Sequence, residues 1–528
     1  MLTTRRGTIL GAAALAASLS RPVFAQAEAP VARTRHGLVR GYVDNGVRAF
    51  RGIRYGASTE GGRFQPPRPP EAWAGVQDAT TYGPASPQRD RSVGPASEDC
   101  LFLNVWTPQS ARAPKRGDAK RPVMVYIHGG AYSNGSGSSP LYDGVRLARR
   151  GDVVVVSLNH RLNAFGYAYL ARLVPGLRDS GNAGQLDLLL ALQWVRDNIS
   201  EFGGDPSQVM VFGQSGGGAK IATLMATPAA KGLFHRAATM SGQQVTASGP
   251  GNAHRRTLAW LDALKLAPGE AVQAATLPVE RLVEAMGIED PVLGFGGLYF
   301  GPVLDERSLK RHPFYPDAPA QSAAIPMIIG NTHDETRAFM GGDPSNFSVD
   351  WAGLPAKLTF PNLRVDIDPA TVIAEYRRLY PAYTASDVLF AATTAARSWR
   401  GAIIEAEARA RAGHPTWAYQ LDWTTPADGG RMGAPHASDI QFVFDNIAQP
   451  GATAIGPTAQ PMADQMSEAF LAFARTGDPN CRAIPRWERY DLNQRRTLVF
   501  NTPSRLVADP RGGERRLFEK VPFVQAGS

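Results

Sequence analysis

Cysteine is almost absent from this chain, which has 528 residues and only two cysteines. So few thiols exclude a small domain held together by disulfides, and they exclude zinc or iron–sulfur sites that need four thiolates. Internal repeats and low-complexity tracts are also lacking. Apolar residues make up 43% of the sequence and charged residues 20%, which is ordinary for a globular protein and excludes wholesale disorder.

Long apolar segments are lacking as well, and the only apolar run of note lies in residues 1–25. There, Arg5 and Arg6 precede a weakly apolar run at 9–19, and small residues up to Ala25 suit a cleavage site. The run is too short to span a bilayer permanently. The arginine pair favours a twin-arginine export signal, with a general secretory signal as the alternative. We therefore expect an exported protein, periplasmic or secreted, with no stable membrane span after cleavage.

The basic excess shrinks once this signal is set aside. The chain has 56 lysines and arginines against 47 acids, a net charge of +9. Removing residues 1–25 removes three arginines and no acid, which leaves +6. The remaining basic residues are dispersed, and the densest clusters, at 33–40 and 511–516, are short and lack interleaved aromatic residues. This pattern predicts a solvated surface and no nucleic-acid partner.

Apolar runs and helical stripes alternate along the chain. The predicted strands cover 123–127, 153–158, 209–212, 326–329 and 416–421. The predicted helices cover 188–199, 218–228 and 249–267. The lysine- and arginine-rich stretch 111–121 is expected to be a surface loop. Alternating strands and helices predict an α/β fold with a large, mostly parallel sheet and helices on both faces.

The strongest local motif is Gly-Gln-Ser-Gly-Gly at 213–217, between a predicted strand and a predicted helix. A serine hydroxyl becomes a nucleophile only when it is exposed, positioned and next to a base, and a sharp strand-to-helix turn presents Ser215 in this way. The flanking glycines suit a strained turn. A phosphate-binding loop is excluded, because Ala219 stands where the Walker lysine belongs. A plain glycine turn is the alternative.

A nucleophilic serine needs a histidine, which in this type of fold follows both the serine and the acid. The histidines far enough along the chain are His254, His312, His333, His414 and His436. His436 is favoured because it lies in a loop of small residues ahead of a phenylalanine-rich segment. The residues alone leave the choice open.

The acid that orients this base is expected in 330–335, directly after a predicted strand, where ligands gather in open α/β sheets. The residue types do not choose between Asp334 and Glu335. The small residues at 128–131 follow another predicted strand. Their N–H groups, together with that of Gly216, can approach a substrate carbonyl and form an oxyanion hole. Without the other motifs, an ordinary glycine turn would be the better interpretation of 128–131.

Taken together, these segments resemble the type-B carboxylesterase and cholinesterase family of α/β-hydrolases, which includes bacterial para-nitrobenzyl esterases. The resemblance covers nearly all of the chain after residue 25. Several motifs occur in the family's order: Arg-Phe-Gln-Pro-Pro at 63–67, Glu-Asp-Cys-Leu-Phe-Leu-Asn at 98–104, Asn-His-Arg-Leu at 159–162, Gly-Asn-Ala-Gly-Gln-Leu-Asp at 181–187 and Phe-Gly-Gly-Asp-Pro at 202–206.

The resemblance implies a single α/β-hydrolase domain over residues 26–528, with loop and helix insertions that form a gorge. The implied site residues are the triad Ser215, Glu335 and His436, the oxyanion-hole residues Gly130, Ala131 and Gly216, and the supporting polar residues Ser241 and Asp439. The implied activity is hydrolysis of small carboxylic esters through an acyl-enzyme, with no metal and no organic cofactor. Hydrolysis of carbamates, amides or lactones, and a non-catalytic binding module, are the alternatives. The oligomeric state stays open.

The chain departs from the family pattern at three positions. Gly216 stands where alanine is usual, and Thr336 stands where glycine is usual. Ser86 stands where relatives often have a cysteine bonded to the equivalent of Cys100. No family pattern supports a bond between Cys100 and Cys481, so free thiols are expected. The segment 293–300, Tyr132 and Phe442 are candidates for the gorge lining or, equally, for the core.

Overall fold

The computed structural model describes residues 29–109 and 120–528. The predicted export signal lies outside the described residues, and so does most of the predicted loop at 111–121. Arg121, the last residue of that loop prediction, instead begins a strand.

Strands and helices alternate through most of the described chain. The strands are β1 (Val31–Arg33), β2 (Leu38–Arg40), β3 (Tyr42–Asp44), β4 (Val47–Arg54), β5 (Val76–Asp78), β6 (Phe102–Pro108), β7 (Arg121–Ile127), β8 (Val154–Leu158), β9 (Gly204–Gln214), β10 (Arg236–Met240), β11 (Met327–Thr332), β12 (Thr416–Leu421), β13 (Arg496–Phe500) and β14 (Arg505–Ala508). The α-helices are α1 (Val145–Gly151), α2 (Asn163–Tyr167), α3 (Ala183–Asn198), α4 (Gly216–Ala226), α5 (Pro250–Ala263), α6 (Val279–Glu284), α7 (Arg337–Met340), α8 (Leu354–Lys357), α9 (Phe360–Leu363), α10 (Pro369–Leu379), α11 (Ala385–Thr394), α12 (Arg400–Arg411), α13 (Ile440–Val443), α14 (Ala459–Thr476) and α15 (Gly512–Phe518).

One large mixed sheet organises the described residues. Its order is β14-β13-β12-β11-β10-β9-β7-β8-β6-β4-β3. The central strands run parallel to one another; in sheet order they are β13, β12, β11, β10, β9, β7 and β8. The strand β14 at one edge, and the strands β6, β4 and β3 at the other edge, pair in the antiparallel direction. A second sheet pairs β1, β2 and β5. The predicted α/β fold with a mostly parallel centre is therefore confirmed.

Each predicted strand is present, in β7, β8, β9, β11 and β12. The predicted helices are α3, α4 and α5, and α4 begins at Gly216, two residues before the predicted start. The central strands are buried on both faces, which explains their uninterrupted apolar runs. Side chains of α3, α4 and α12 pack in the core of one face, and those of α1, α13 and α14 pack in the core of the other.

The parallel strands bring their carboxyl ends to one edge of the sheet. There β7 ends at Ile127, β9 at Gln214 and β11 at Thr332, so the three segments singled out by sequence follow strand ends at the same edge, with β10 between β9 and β11. This edge is where ligands bind in open α/β sheets. No helix in the part of the chain that the structure describes is both long enough and apolar enough to cross a membrane.

Candidate active site

Ser215 occupies the sharp turn between β9 and α4. Its backbone has φ 55° and ψ −127°, a combination that costs energy for a residue with a side chain. The Ser215 N–H donates to the carbonyl of Met240, at 2.7 Å, and this bond helps to hold the turn. A methyl group on Gly216 would collide with the backbone of Ala131. The 128–131 segment therefore approaches Gly216 so closely that a side chain at 216 would force the backbone to shift.

Glu335 and His436 contact each other directly, although 101 positions separate them in the chain. The His436 Nδ1 atom donates to the Glu335 Oε2 atom. The other carboxylate oxygen accepts from the Thr332 N–H, at 2.9 Å, and from the Asn331 amide, at 3.2 Å. Both oxygens of a fully buried carboxylate are thus engaged.

Burial alone would raise the pKa of Glu335. The neighbouring His436 outweighs this effect by its charge and hydrogen bond, assisted by Ser241 and by the Thr332 N–H, so that the pKa lies below its usual value. Glu335 is therefore ionised at neutral pH and can stabilise a positive charge on His436.

Asp334, which sequence could not distinguish from Glu335, has a different set of contacts. Its carboxylate accepts from the Ala434 N–H, at 3.0 Å, and pairs with Arg337, at 3.2 Å. Its own N–H donates to the Ala434 carbonyl, at 2.9 Å. Asp334 thus holds the loop that carries His436, whereas Glu335 holds the imidazole itself.

The second nitrogen of His436 points to the turn that carries the serine. His436 Nε2 lies 3.1 Å from the side-chain amide nitrogen of Gln214, the residue before Ser215. A neutral imidazole that donates from Nδ1 has its lone pair on Nε2, which is the tautomer a general base requires. Here that lone pair accepts from the Gln214 amide, and among the described residues no hydrogen bond joins His436 to the Ser215 hydroxyl. The ring of Phe339, which sequence reasoning missed, packs on the imidazole with a centroid distance of 4.7 Å.

The segment after β7 presents free backbone N–H groups. Gly130 and Ala131 have φ values of 83° and 53°. Within residues 29–109 and 120–528, neither of their N–H groups donates a hydrogen bond to the protein. The N–H of Gly216 stands at the first position of α4, where a helix offers no acceptor. These three donors are available to a substrate oxygen.

Lys220 holds the segment 128–131 in place through its side chain, a role that sequence reasoning missed. Its ammonium group donates to the carbonyls of Ala131, at 2.7 Å, and His128, at 3.3 Å. The side chain is fully buried, and this burial lowers its pKa to about 7. A lone lysine in the otherwise uncharged stretch 214–230 was the available signal.

The two supporting residues lie behind the Glu335–His436 pair. Ser241 faces Glu335 closely enough to help lower its pKa, although its hydroxyl does not reach hydrogen-bonding geometry. Asp439 is fully buried and accepts from the Tyr419 hydroxyl, at 2.7 Å. Burial raises the pKa of Asp439 to about 6, because the Tyr419 bond compensates for only part of the lost hydration.

A cavity of about 650 Å³ brings these groups together. Its lining includes the predicted residues Gly130, Ala131, Ser215, Gly216, Ser241 and His436, and also Tyr299, Phe339, Arg364 and Arg397. Glu335 and Asp439 are buried beneath the wall. Of the lining candidates at 293–300, Tyr299 faces the cavity. Tyr132 and Phe442 are fully buried core residues.

Both cysteines are free thiols in the structure. Cys100 is fully buried, and burial raises the pKa of its thiol. The Ser86 hydroxyl lies beside this thiol, at the position where relatives often have the partner cysteine, and it accepts from the Leu162 N–H, at 3.2 Å.

Comparison with known proteins agrees with this fold. The family model described as the carboxylesterase family matches residues 28–515. The chain belongs to the carboxylesterase family. This carboxylesterase is 35% identical to the para-nitrobenzyl esterase of Bacillus subtilis strain 168, over 92% of this chain and 98% of the relative.

Two further relatives extend the comparison. The phenmedipham hydrolase of Pseudarthrobacter oxydans is 32% identical, over 91% of this chain and 96% of that protein. A solved carboxylesterase structure from Geobacillus stearothermophilus superimposes with a TM-score of 0.80 at 36% identity, covering 92% of this chain and 99% of that one. The carboxylesterase described here is a carboxylic ester hydrolase with the α/β-hydrolase fold.

Proposed function

We propose that this carboxylesterase hydrolyses esters through an acyl-enzyme on Ser215. His436 accepts the Ser215 proton at Nε2 as the hydroxyl attacks the ester carbonyl, and Glu335 stabilises the imidazolium that forms. The tetrahedral oxyanion accepts hydrogen bonds from Gly130, Ala131 and Gly216. His436 then protonates the departing alcohol. Water, activated by the same imidazole, attacks the acyl-enzyme and releases the acid and the free serine.

One observation supports this proposal most strongly. The cavity that contains Ser215 also contains an imidazole whose Nδ1 donates to a buried, ionised carboxylate and whose Nε2 lies against the side-chain amide of Gln214, the residue before Ser215. A nucleophile, an oriented base and free backbone donors around one cavity are the requirements of acyl transfer.

The substitution Ser215→Ala tests the proposal. We expect turnover of 4-nitrophenyl acetate to fall by about ten-thousandfold or more, because no nucleophile remains, while the circular dichroism spectrum and melting temperature are retained. Ser398→Ala, which changes another serine of the cavity wall, is the matched control and should keep most of the activity. Substantial turnover by the folded Ser215→Ala protein would overturn the assignment.

Carbamate hydrolysis is the second candidate. One relative is a phenmedipham hydrolase, a carbamate-hydrolysing enzyme, with 32% identity over nearly the whole chain. The same nucleophile, base and oxyanion donors can cleave a carbamate. Comparing kcat/KM for a phenyl carbamate and the matching phenyl ester distinguishes the two candidates.

We also propose that residues 1–25 direct export, on the basis of the arginine pair and the apolar run that follows it. Replacing Arg5 and Arg6 by lysine should block export through a twin-arginine route. Unchanged export of this variant would favour the general secretory route, and loss of a 25-residue leader can be checked by N-terminal sequencing of the exported protein.

A further inference from the structure

Two arginines in the cavity wall have no part in the hydrolytic steps. Arg364 follows α9 with a left-handed backbone, at φ 58°. Arg397 lies in a single π-helical turn, Ala395–Trp399, inserted between α11 and α12. A π-turn changes the direction in which side chains leave a helix, and such turns are frequent at functional sites.

Neither guanidinium has a carboxylate beside it among the residues that the structure describes. No ion pair or hydrogen bond within the protein involves the side chain of either arginine in this part of the chain, and the Nε atom of Arg364 is buried without a partner. The carboxylate of Glu335 exerts a charge effect on Arg397, but both Glu335 oxygens are already engaged by His436, Thr332 and Asn331.

The two charges also act on each other. Burial and the charge of Arg364 together lower the pKa of Arg397 to about 10, against the opposing effects of Tyr299 and Glu335. Burial likewise lowers the pKa of Arg364. Both groups remain protonated at neutral pH, so two positive charges share one wall with no paired anion, and each guanidinium lies only over an aromatic ring, Phe339 or Phe295. Partly buried, uncompensated charge is unfavourable, and an anion placed between the arginines would relieve it.

The position of this wall relates it to the proposed reaction centre. The Arg397 guanidinium lies over the Phe339 ring, 4.8 Å from its centroid, and the same ring packs on His436. The pKa of Tyr299, which burial raises, is lowered in part by Arg364 and Arg397, so this tyrosine lies near both cations. A ligand at this wall is therefore next to the imidazole and inside the cavity that contains Ser215.

We propose that this carboxylesterase acts on esters that also carry a free carboxylate, which Arg364 and Arg397 bind while the ester carbonyl lies at Ser215. The guanidinium fork matches a carboxylate in a two-point contact, which fixes both the position and the direction of the substrate. The inference rests on the proposed function. It adds that the preferred substrate is the monoester of a dicarboxylic acid or the ester of a hydroxy acid.

Matched substrate pairs test this proposal. The first pair, mono-4-nitrophenyl adipate and 4-nitrophenyl methyl adipate, differs by a charge on the acyl side. The second pair, 3-acetoxybenzoate and methyl 3-acetoxybenzoate, differs by a charge on the alcohol side. The quantity measured is the ratio of kcat/KM for the charged ester to that for its neutral partner, at low and at high salt, with spontaneous hydrolysis subtracted.

We expect the wild-type protein to prefer the charged member of at least one pair, and high salt to weaken this preference. Arg397→Gln and Arg364→Gln should each lower the ratio by about tenfold or more, since a hydrogen bond to a charged group is lost. Arg397→Lys should lie between wild type and Arg397→Gln, because it keeps the charge and loses the fork.

Arg149→Gln is the matched control, because it removes an exposed positive charge that does not line the cavity. This variant should leave the ratio unchanged. Equal ratios in wild type, Arg397→Gln and Arg364→Gln for both pairs would overturn the inference. Ser215-dependent hydrolysis of the neutral esters in the same experiment would leave the proposed function intact, whereas its absence would overturn the proposed function itself.

Discussion

Arginines lie fully buried in the scaffold and partly buried in the wall of the cavity, and the partners of their charges differ between the two regions. In the scaffold, Arg161 is 2% exposed and forms hydrogen bonds with both oxygens of Asp187, which is 0% exposed. Arg256, which is also fully buried, donates to one oxygen of the buried Asp290, at 2.7 Å. In the cavity wall, Arg364 and Arg397 have no such partner within the described ranges. The arginines of the two regions therefore differ both in burial and in partners, and a structural charge has to be distinguished from a functional one.

The hydrogen-bond and ion-pair partners of a charge distinguish a structural role from a functional one. The carboxylate of Asp187 also accepts from the backbone N–H of Arg161, so that pair holds two chain segments in register. Glu335 is equally buried, but its partner His436 opens onto the cavity. Charges whose partners are all internal hold the fold together, whereas charges that face the cavity are available for a substrate or for proton transfer. Substitutions in the two regions should therefore have separable effects.

Among the substitutions that test this comparison, Glu335→Gln should have the largest effect, and that effect is on activity. A neutral amide cannot stabilise the imidazolium and favours the wrong tautomer, so kcat should fall by about a thousandfold or more while the protein stays folded. Steady-state kinetics and circular dichroism measure the two effects.

Asp334→Asn is its matched control. It changes the adjacent carboxylate, which holds the His436 loop without contacting the imidazole, and kcat should fall by less than about tenfold. Equal losses in the two variants would contradict the separate roles of these acids.

The next effect is on stability and comes from Arg161→Met. Removing one partner leaves the Asp187 carboxylate buried and uncompensated, which should lower the free energy of unfolding by about 3–5 kcal/mol. Urea unfolding measures this loss, and activity per folded molecule should be retained.

Arg307→Met removes the partner of Asp179 in an exposed pair and should leave the free energy of unfolding nearly unchanged. A loss of activity without a loss of stability in Arg161→Met would remove the distinction between the two regions.

These contrasts also separate what sequence could predict from what it could not. The strands and the Ser215 turn were predictable from local sequence, because burial on both faces requires an apolar run and a strained turn requires glycines. The choice between Asp334 and Glu335 was not predictable from local sequence, since it depends on contacts with a loop 101 positions away. The role of Arg397 could not be predicted either, because its lack of an ion-pair partner depends on which residues the fold brings near it. The residue roles suggested by family resemblance remain proposals for the experiments above.

A smaller effect is expected on the pH dependence of stability. Glu405, on α12, accepts from the Gln244 N–H, at 2.7 Å, and its second oxygen has no partner among the described residues. Burial raises the pKa of Glu405 from 4.5 to about 8. Between these values the folded protein keeps a proton that the unfolded chain releases, so this group lowers stability as pH rises.

Glu405→Gln removes this titration. The melting temperature of the variant relative to wild type should increase from pH 5 to pH 8, because only the wild type loses stability through this group. Melting curves at several pH values measure this difference. A constant difference at all pH values would show that Glu405 keeps an ordinary pKa.

The last prediction concerns the reactivity of the two cysteines, of which Cys100 lies in a neutral contact with Ser86. Titration of the unreduced protein in denaturant should find two thiols per chain, because neither cysteine has a disulfide partner. Without denaturant, the buried Cys100 should react far more slowly than the half-buried Cys481. A count of zero would contradict the structure.

The most direct test of the central claim is covalent labelling of the nucleophile. Incubation with a fluorophosphonate, followed by peptide mass spectrometry, should give one adduct per chain, on Ser215, with activity lost in proportion to labelling. The Ser215→Ala protein should remain unlabelled. Complete inhibition with the adduct on another residue, or full activity after Ser215 has been modified, would contradict the account.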